Sequence, residues 1–175
     1  PPLPTGIARL TDHGLEQRVH ACMVPRETPI AAVEGVFNAV VAEGDFVGRV
    51  VLEGRGAGAF PTASSVASDL VDIATGRYVP AFGVPAASLE ALPGAAMERH
   101  QGAYYIRLMV VDQPGVIADV AAALRDEHVS MESMIQRGRA PGEAVPVVLT
   151  THVTVEAAMQ RAIERIAKLE SVVEP

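Results

Sequence analysis

Tryptophan is absent from this chain of 175 residues and aromatic side chains make up only 4% of it. Base-stacking platforms for nucleic acid are therefore missing. Basic residues are also scarce: 14 Lys and Arg stand against 21 Asp and Glu, for a net charge of −7. With no basic stripe, neither nucleic acid nor an anionic membrane surface is expected as a main partner. No apolar run reaches the roughly 18 residues that suggest a membrane span, and Pro1-Pro2-Leu3-Pro4 is not a signal peptide. The cytoplasm is the expected location. The single cysteine, Cys22, has no partner for an internal disulfide. Among Val19, Ala21, Met23 and Val24 it reads as a small buried hydrophobe. The chain also lacks an initial Met, and its stiff start suggests a truncated protein.

What remains is 49% hydrophobic residues with 20% charge, the composition of a folded protein with one good-sized domain or two small ones. The best-patterned stretch runs from Tyr104 to Met131. Ile106, Leu108 and Val110 alternate with Tyr105, Arg107 and Met109, as in a half-buried strand. After Asp112-Gln113-Pro114-Gly115, the residues Val116, Val120, Ala123 and Leu124 recur at helical spacing. Asp112 is placed to cap the helix and Pro114 to preset its first φ, while Gly115 leaves the backbone bare. The first amides of a helix have no partner within it, so this turn has the means to accept a carboxylate. The same spacing also fits a capped helix start with no ligand.

Beyond the turn the pattern gives strand 129–137, a break over 138–144, strand 145–153, helix 155–169 with Thr154 as its cap, and a short strand at Val172-Val173. In the second helix Val155, Met159, Ala162, Ile166 and Leu169 form the inward stripe. The order βαββαβ predicts a split-βαβ, ferredoxin-like sandwich with both helices on one sheet face. Residues 104–175 resemble an ACT domain, the amino-acid-sensing module of many biosynthetic enzymes, through DQPGVIADVAAAL above all. The resemblance implies an amino-acid effector at Asp112, Gly115, Val116 and Ile117, often at an interface between modules, with the acid touching the effector's amino group.

In the first half, residues 16–24 alternate as a strand on which His20 faces solvent, and Thr28 caps a helical turn opening at Pro29. Strands 35–43 and 49–54 follow, joined at Gly44-Asp45. Asn38, inside the first of them, needs a hydrogen-bond partner if buried. Gly54, Gly56 and Gly58 then precede a helix with the stripe Val66, Leu70 and Ile73. Glycines there let the chain turn sharply and approach another group closely. Gly54-Arg-Gly56-Ala-Gly58-Ala59 satisfies G-x-G-x-x-A, but no acid follows at the distance needed to hold a ribose. Prolines at 80 and 85 also spoil the next strand. It is not a complete dinucleotide fingerprint.

TPIAAVEGVFNAVVAEGDFVG followed by GRGAGAFPTASSVASDLVDIA resembles the C-terminal part of the homoserine dehydrogenase catalytic domain. The resemblance implies an α+β chain, with residues 1–76 as the end of a substrate and dimerisation domain with a mainly antiparallel sheet and 104–175 as the ACT domain that follows it. Between them, residues 77–103 hold three prolines and three glycines with no sustained period and read as a linker in which His100 is solvated. The resemblance further implies an NAD(P)-dependent oxidoreductase that interconverts aspartate 4-semialdehyde and homoserine, with Gly58 touching the nicotinamide nucleotide through its backbone. The cofactor would belong to the full-length enzyme rather than to this piece. The family's cofactor domain and catalytic lysine have no match here, so no catalytic or metal-binding residue is expected and the chain alone is expected to be inactive. Threonine is the expected effector, and a dimer or other homo-oligomer through ACT and sheet interfaces the expected assembly. The alternative is a non-catalytic ACT-type regulatory protein that never held a nucleotide.

Overall fold

The computed structural model describes residues 3–138 and 140–174; expectations that touch residues 1, 2, 139 and 175 lie outside them. By its internal contacts the chain divides into two units. Unit one takes the residues up to Gly6 together with Val19–Leu92, and unit two takes Ile7–Arg18 together with Pro93 onward.

Unit two holds a four-stranded antiparallel sheet in the order β10-β6-β8-β7. Its strands are β6 (Tyr105–Val111), β7 (Met131–Gln136), β8 (Ala144–Thr151) and β10 (Val172–Glu174), with helices α2 (Val116–Asp126) and α3 (Glu156–Ile166) between them. The sequence order βαββαβ is the one expected. Ile106, Leu108 and Val110 are buried along β6 and Val145, Val147, Leu149 and Thr151 along β8. They meet Val116, Val120, Ala123 and Leu124 of α2 and Met159, Ala162 and Ile166 of α3. Period two on the strands and a 3.6-residue stripe on the helices thus converge on one core.

Pro146 sits in a central strand, where a missing N–H is normally costly. Thr151 N–H donates to Tyr104 O at 3.0 Å, so alternate residues from Thr151 back to Val145 bond to β6. Pro146 therefore faces the β7 side, where pairing ends at Gln136 opposite Val147. Thr151 is fully buried, and its hydroxyl accepts from Tyr104 N–H at 3.0 Å. His128, at φ 58°, ends α2 in the left-handed region. Thr154 does not cap α3: it pairs with Gly102 in a two-strand ladder of β5 (Gln101–Gly102) and β9 (Thr154–Val155). Val155 is the N-cap, without a side-chain bond.

Unit one contains the antiparallel pair β3 (Phe37–Gly44) and β4 (Gly48–Arg55), then α1 (Ala59–Ala74). The hairpin turns over Asp45–Val47, with Gly44 opposite Gly48. The stripe expected to face inward on α1 is exposed, Val66 at 54%, Leu70 at 62% and Ile73 at 75%. No residue of this helix is buried. Thr28 is the N-cap of the 3-10 turn Pro29–Ala32, its carbonyl accepting from Ala31 N–H at 3.0 Å, but its side chain does not cap the turn: the hydroxyl donates to Pro25 O at 2.7 Å.

The first residues form a strand that the sequence reading omits. β1 (Leu3–Thr11) pairs with β2 (Gly14–Cys22) in a hairpin whose tip half belongs to unit two. Leu15 N–H donates to Pro93 O at 2.8 Å and Ala95 N–H to Leu15 O at 2.9 Å. Gly14, at φ 114°, allows this contact, since a Cβ there would lie 2.3 Å from Pro93 O.

Candidate functional site

Gly115, not Asp112, is the N-cap of α2, in the left-handed region at φ 98° and with no side chain bonding to the helix start. Pro114 accordingly lies before the cap. Asp112 instead ties down the loop between β7 and β8, its Oδ2 accepting from Ala140 N–H at 2.8 Å. Its Oδ1 is 3.5 Å from Gln136 Nε2. Both arrangements follow from chain direction: Asp112 N–H and C=O pair with Glu143 and Gly142, which turns the side chain toward that loop. A Cβ built on Gly115 meets nothing within 4 Å, so the backbone there is open. Val116 is 3% exposed and belongs to the core, and Ile117 packs against it. What Val116 and Ile117 present at this turn is backbone, and a helix start of this kind suits a small anion.

The glycine-rich loop leads from β4 into α1. Gly58 is the N-cap of α1, at φ 123°. Gly56 has a local reason to be glycine, because a Cβ there would lie 1.8 Å from Asn38 Nδ2. Asn38 itself is exposed. It lies against the bare face of Gly56. Gly54 is open on the side where a Cβ would be.

A cluster of buried polar groups in unit two escapes the sequence reading. Glu16 is 3% exposed and His100 7%, which corrects the expectation of a solvated His100. Glu16 Oε2 accepts from Arg9 at 2.8 Å, and Arg18 lies 3.5 Å from Oε1. His100 Nδ1 is 2.9 Å from Glu16 Oε1, but neither atom has a partner of hydrogen-bonding geometry among the described residues. The contact is a charge approach off the hydrogen-bond axis. Burial raises the Glu16 carboxyl, but the Arg9 hydrogen bond and the charges of His100, Arg9 and Arg18 outweigh it and hold the group below its ordinary value. Burial, reinforced by Arg18, lowers the His100 imidazole against the pull of Glu16. Tyr104 donates to Glu156 Oε2 at 2.6 Å, and burial together with that bond raises its phenol. The signal was Glu16-x-Arg18 on one strand face; its partner, His100, lies 84 residues further on and only folding brings it near.

Cys22 is half-buried, and its Sγ lies 3.2 Å from Nε2 of the exposed His20. Among the described residues no group of three His, Cys, Asp or Glu could hold a metal ion, and no helix is long and apolar enough to cross a membrane.

Two family models match the chain, homoserine dehydrogenase over residues 5–71 and the ACT domain over residues 104–171. A homoserine dehydrogenase of Neisseria gonorrhoeae is 38% identical over 97% of this chain and 40% of its own length. That of Pseudomonas aeruginosa is also 38% identical, over 97% of this chain and 41% of its own. The crystal structure of a homoserine dehydrogenase from Thiobacillus denitrificans matches with a TM-score of 0.82 at 40% identity. It covers 96% of this chain and 39% of that one.

The chain belongs to the homoserine dehydrogenase family. It spans about 40% of the length of the relatives it matches. The homoserine dehydrogenase model lies over the hairpins, the glycine loop and most of α1, and the ACT model runs from β6 through α3 and stops just before β10. A homoserine dehydrogenase of Staphylococcus aureus, at 21% identity and a TM-score of 0.57, shares the fold.

Proposed function

We propose that this chain is the C-terminal regulatory portion of a homoserine dehydrogenase, the NAD(P)-dependent oxidoreductase that interconverts aspartate 4-semialdehyde and homoserine. Its ACT unit binds an end-product amino acid, threonine first among the candidates. The observation that carries this reading is the succession in one chain of the dehydrogenase match and the ACT match, the latter containing a helix start left bare by Gly115.

The effector's carboxylate would meet the first amides of α2 and its ammonium group the side of Asp112 not held by Ala140. The turn binds without chemistry: it orients a zwitterion and shifts the balance between forms of the larger enzyme. Such a module works in a homo-oligomer, pairing through the ACT sheet.

The glycine-rich loop fits one edge of a nicotinamide cofactor and no more. Its open backbone at Gly54 and the helix start at Gly58 suit close approach to such a group. When bound, the cofactor supplies the hydride; Gly58 would help only to position it. No acid–base pair for carbonyl reduction is assigned to this chain, so the purified chain should show no NAD(P)H oxidation with aspartate 4-semialdehyde. Turnover near that of a full-length relative would end the reading.

For the effector, Gly115→Val places a branched side chain on the bare turn at a φ that L-residues rarely adopt, at a cost of about 1–3 kcal/mol. Calorimetric titration should show threonine affinity falling at least tenfold in this variant at the α2 turn. Unchanged affinity there, in a variant that keeps the native circular dichroism spectrum, would remove the assigned site.

A further inference from the structure

Unit two contains a second place with the makings of an amino-acid site, separate from the start of α2. The tip of the β1–β2 hairpin and the segment around the turn Met97–Arg99 line a half-open cavity of about 390 Å³, at the small end of the range of ligand sites. Arg9, His13 and Arg99 line it, and so do Asp12, Glu16 and His100. Both signs of charge are therefore present around one small space.

The cationic side has donors to spare. Arg9 Nη2 is engaged by Glu16 at 2.8 Å, and Arg99 Nη1 donates to His13 Nδ1 at 3.0 Å. Each guanidinium carries five N–H donors in a fork that matches a carboxylate. Arg9 is 52% exposed and Arg99 is exposed, so both can swing toward an anion.

Beneath them lie two side chains more than nine-tenths buried, Glu16 and His100, each with a polar atom that lacks a hydrogen-bond partner among the described residues. Those two atoms face each other at 2.9 Å without hydrogen-bonding geometry, so the wall under the arginines is polar and its charges are incompletely satisfied. The wall is built rather than incidental. The hairpin is bonded to Pro93 and Ala95, His100 O accepts from Glu156 N–H at 2.8 Å, and Gly102 is kept bare where a Cβ would strike His100 Nε2 at 2.7 Å.

We infer that this cavity binds a small α-amino acid, with its carboxylate on Arg9 and Arg99 and its ammonium group toward Asp12 and Glu16. The inference deepens the sensor reading and rests on it only for the ligand class. The chain then carries two amino-acid sites, one at the start of α2 and one under the hairpin tip.

The test is calorimetric titration of the whole chain with L-threonine and then with each remaining proteinogenic L-amino acid. The proteins compared are the wild type, Arg99→Ala, Asp12→Asn and Gly115→Val, with circular dichroism verifying the fold and NMR of the His13 and His100 imidazoles reporting position. Both Arg99 and Asp12 are exposed, so their replacement should leave the fold intact. The expected result is two molecules bound per wild-type chain. Arg99→Ala and Asp12→Asn should weaken one of them at least tenfold and silence the imidazole shifts, and Gly115→Val should remove only the other. A single wild-type site lost in Gly115→Val and untouched in Arg99→Ala and Asp12→Asn overturns this inference and leaves the helix-start reading standing. A single site lost in Arg99→Ala and kept in Gly115→Val supports it and ends the other. Wild-type protein that binds no amino acid ends both.

Discussion

Helices α1 and α2 have similar patterns and opposite fates. Each carries an apolar stripe at helical spacing, but that of α2 lies in a core shared with β6, β8 and α3, whereas Val66, Leu70 and Ile73 of α1 are exposed. Every buried hydrophobic of the core lies between Ile106 and Ile166, in unit two. An amphipathic pattern specifies which face wants covering; it does not supply the cover. In unit two both layers are encoded within the same 70 or so residues. In unit one no described residue of α1 is buried, so its stripe finds no second layer within this chain.

The sharpest way to break this comparison is to truncate one leucine in each unit. Leu149→Ala, at a position with no exposed surface, should cost unit two about 2–5 kcal/mol. Leu70→Ala on α1 should change stability by no more than about 0.5 kcal/mol. Urea denaturation followed by circular dichroism measures both. A comparable loss in the two variants would mean that α1 is covered in solution after all.

A smaller effect separates the units by their hydroxyls. Thr151→Val leaves Tyr104 N–H without its side-chain acceptor inside the core, for a loss of about 1–3 kcal/mol. Thr75, whose hydroxyl donates to Val71 O on the exposed end of α1, should tolerate the same replacement almost unchanged. Denaturation midpoints that move equally would contradict the difference in burial.

The smallest expected effect is in pH. The lowered His100 imidazole contributes stability that is fully present above its ordinary value of 6.5 and is lost as pH falls through the folded value. The lowered Glu16 and Glu127 carboxyls act in the same direction below their ordinary value of 4.5. For Glu127 the main cause is the hydrogen bond from Arg161 at 2.6 Å. Acidification should therefore weaken unit two in two stages. His100→Asn should abolish the first, seen as a denaturation midpoint that stays flat from pH 7 to 5.5. An unchanged slope there would assign that stage to another group.

How much of this was legible depended on range. The sheet of unit two could be read because its strands and helices each carry a full period of their own, and the resemblance rested on a contiguous motif. Features set by distant partners could not. His100 reads as part of a featureless connector until Glu16 reaches it, and Asp112 reads as a cap until Ala140 claims its carboxylate. Thr154 looked like a cap because the two-residue ladder with Gly102 leaves no periodic trace. β1 was passed over because prolines at its start hid an alternation that only pairing with β2 reveals. The polar cavity under the hairpin tip was illegible for the same reason: its parts come from residues 9–16 and 95–101.

The packing of Asn38 against Gly56 has a consequence for how these positions can change over time. A methyl group at 56 is tolerated only if the amide at 38 withdraws, and a shorter residue at 38 would release 56 from being glycine. The two sites should thus drift together among descendants of this chain. An engineer who swaps one would do well to shrink the other in the same step.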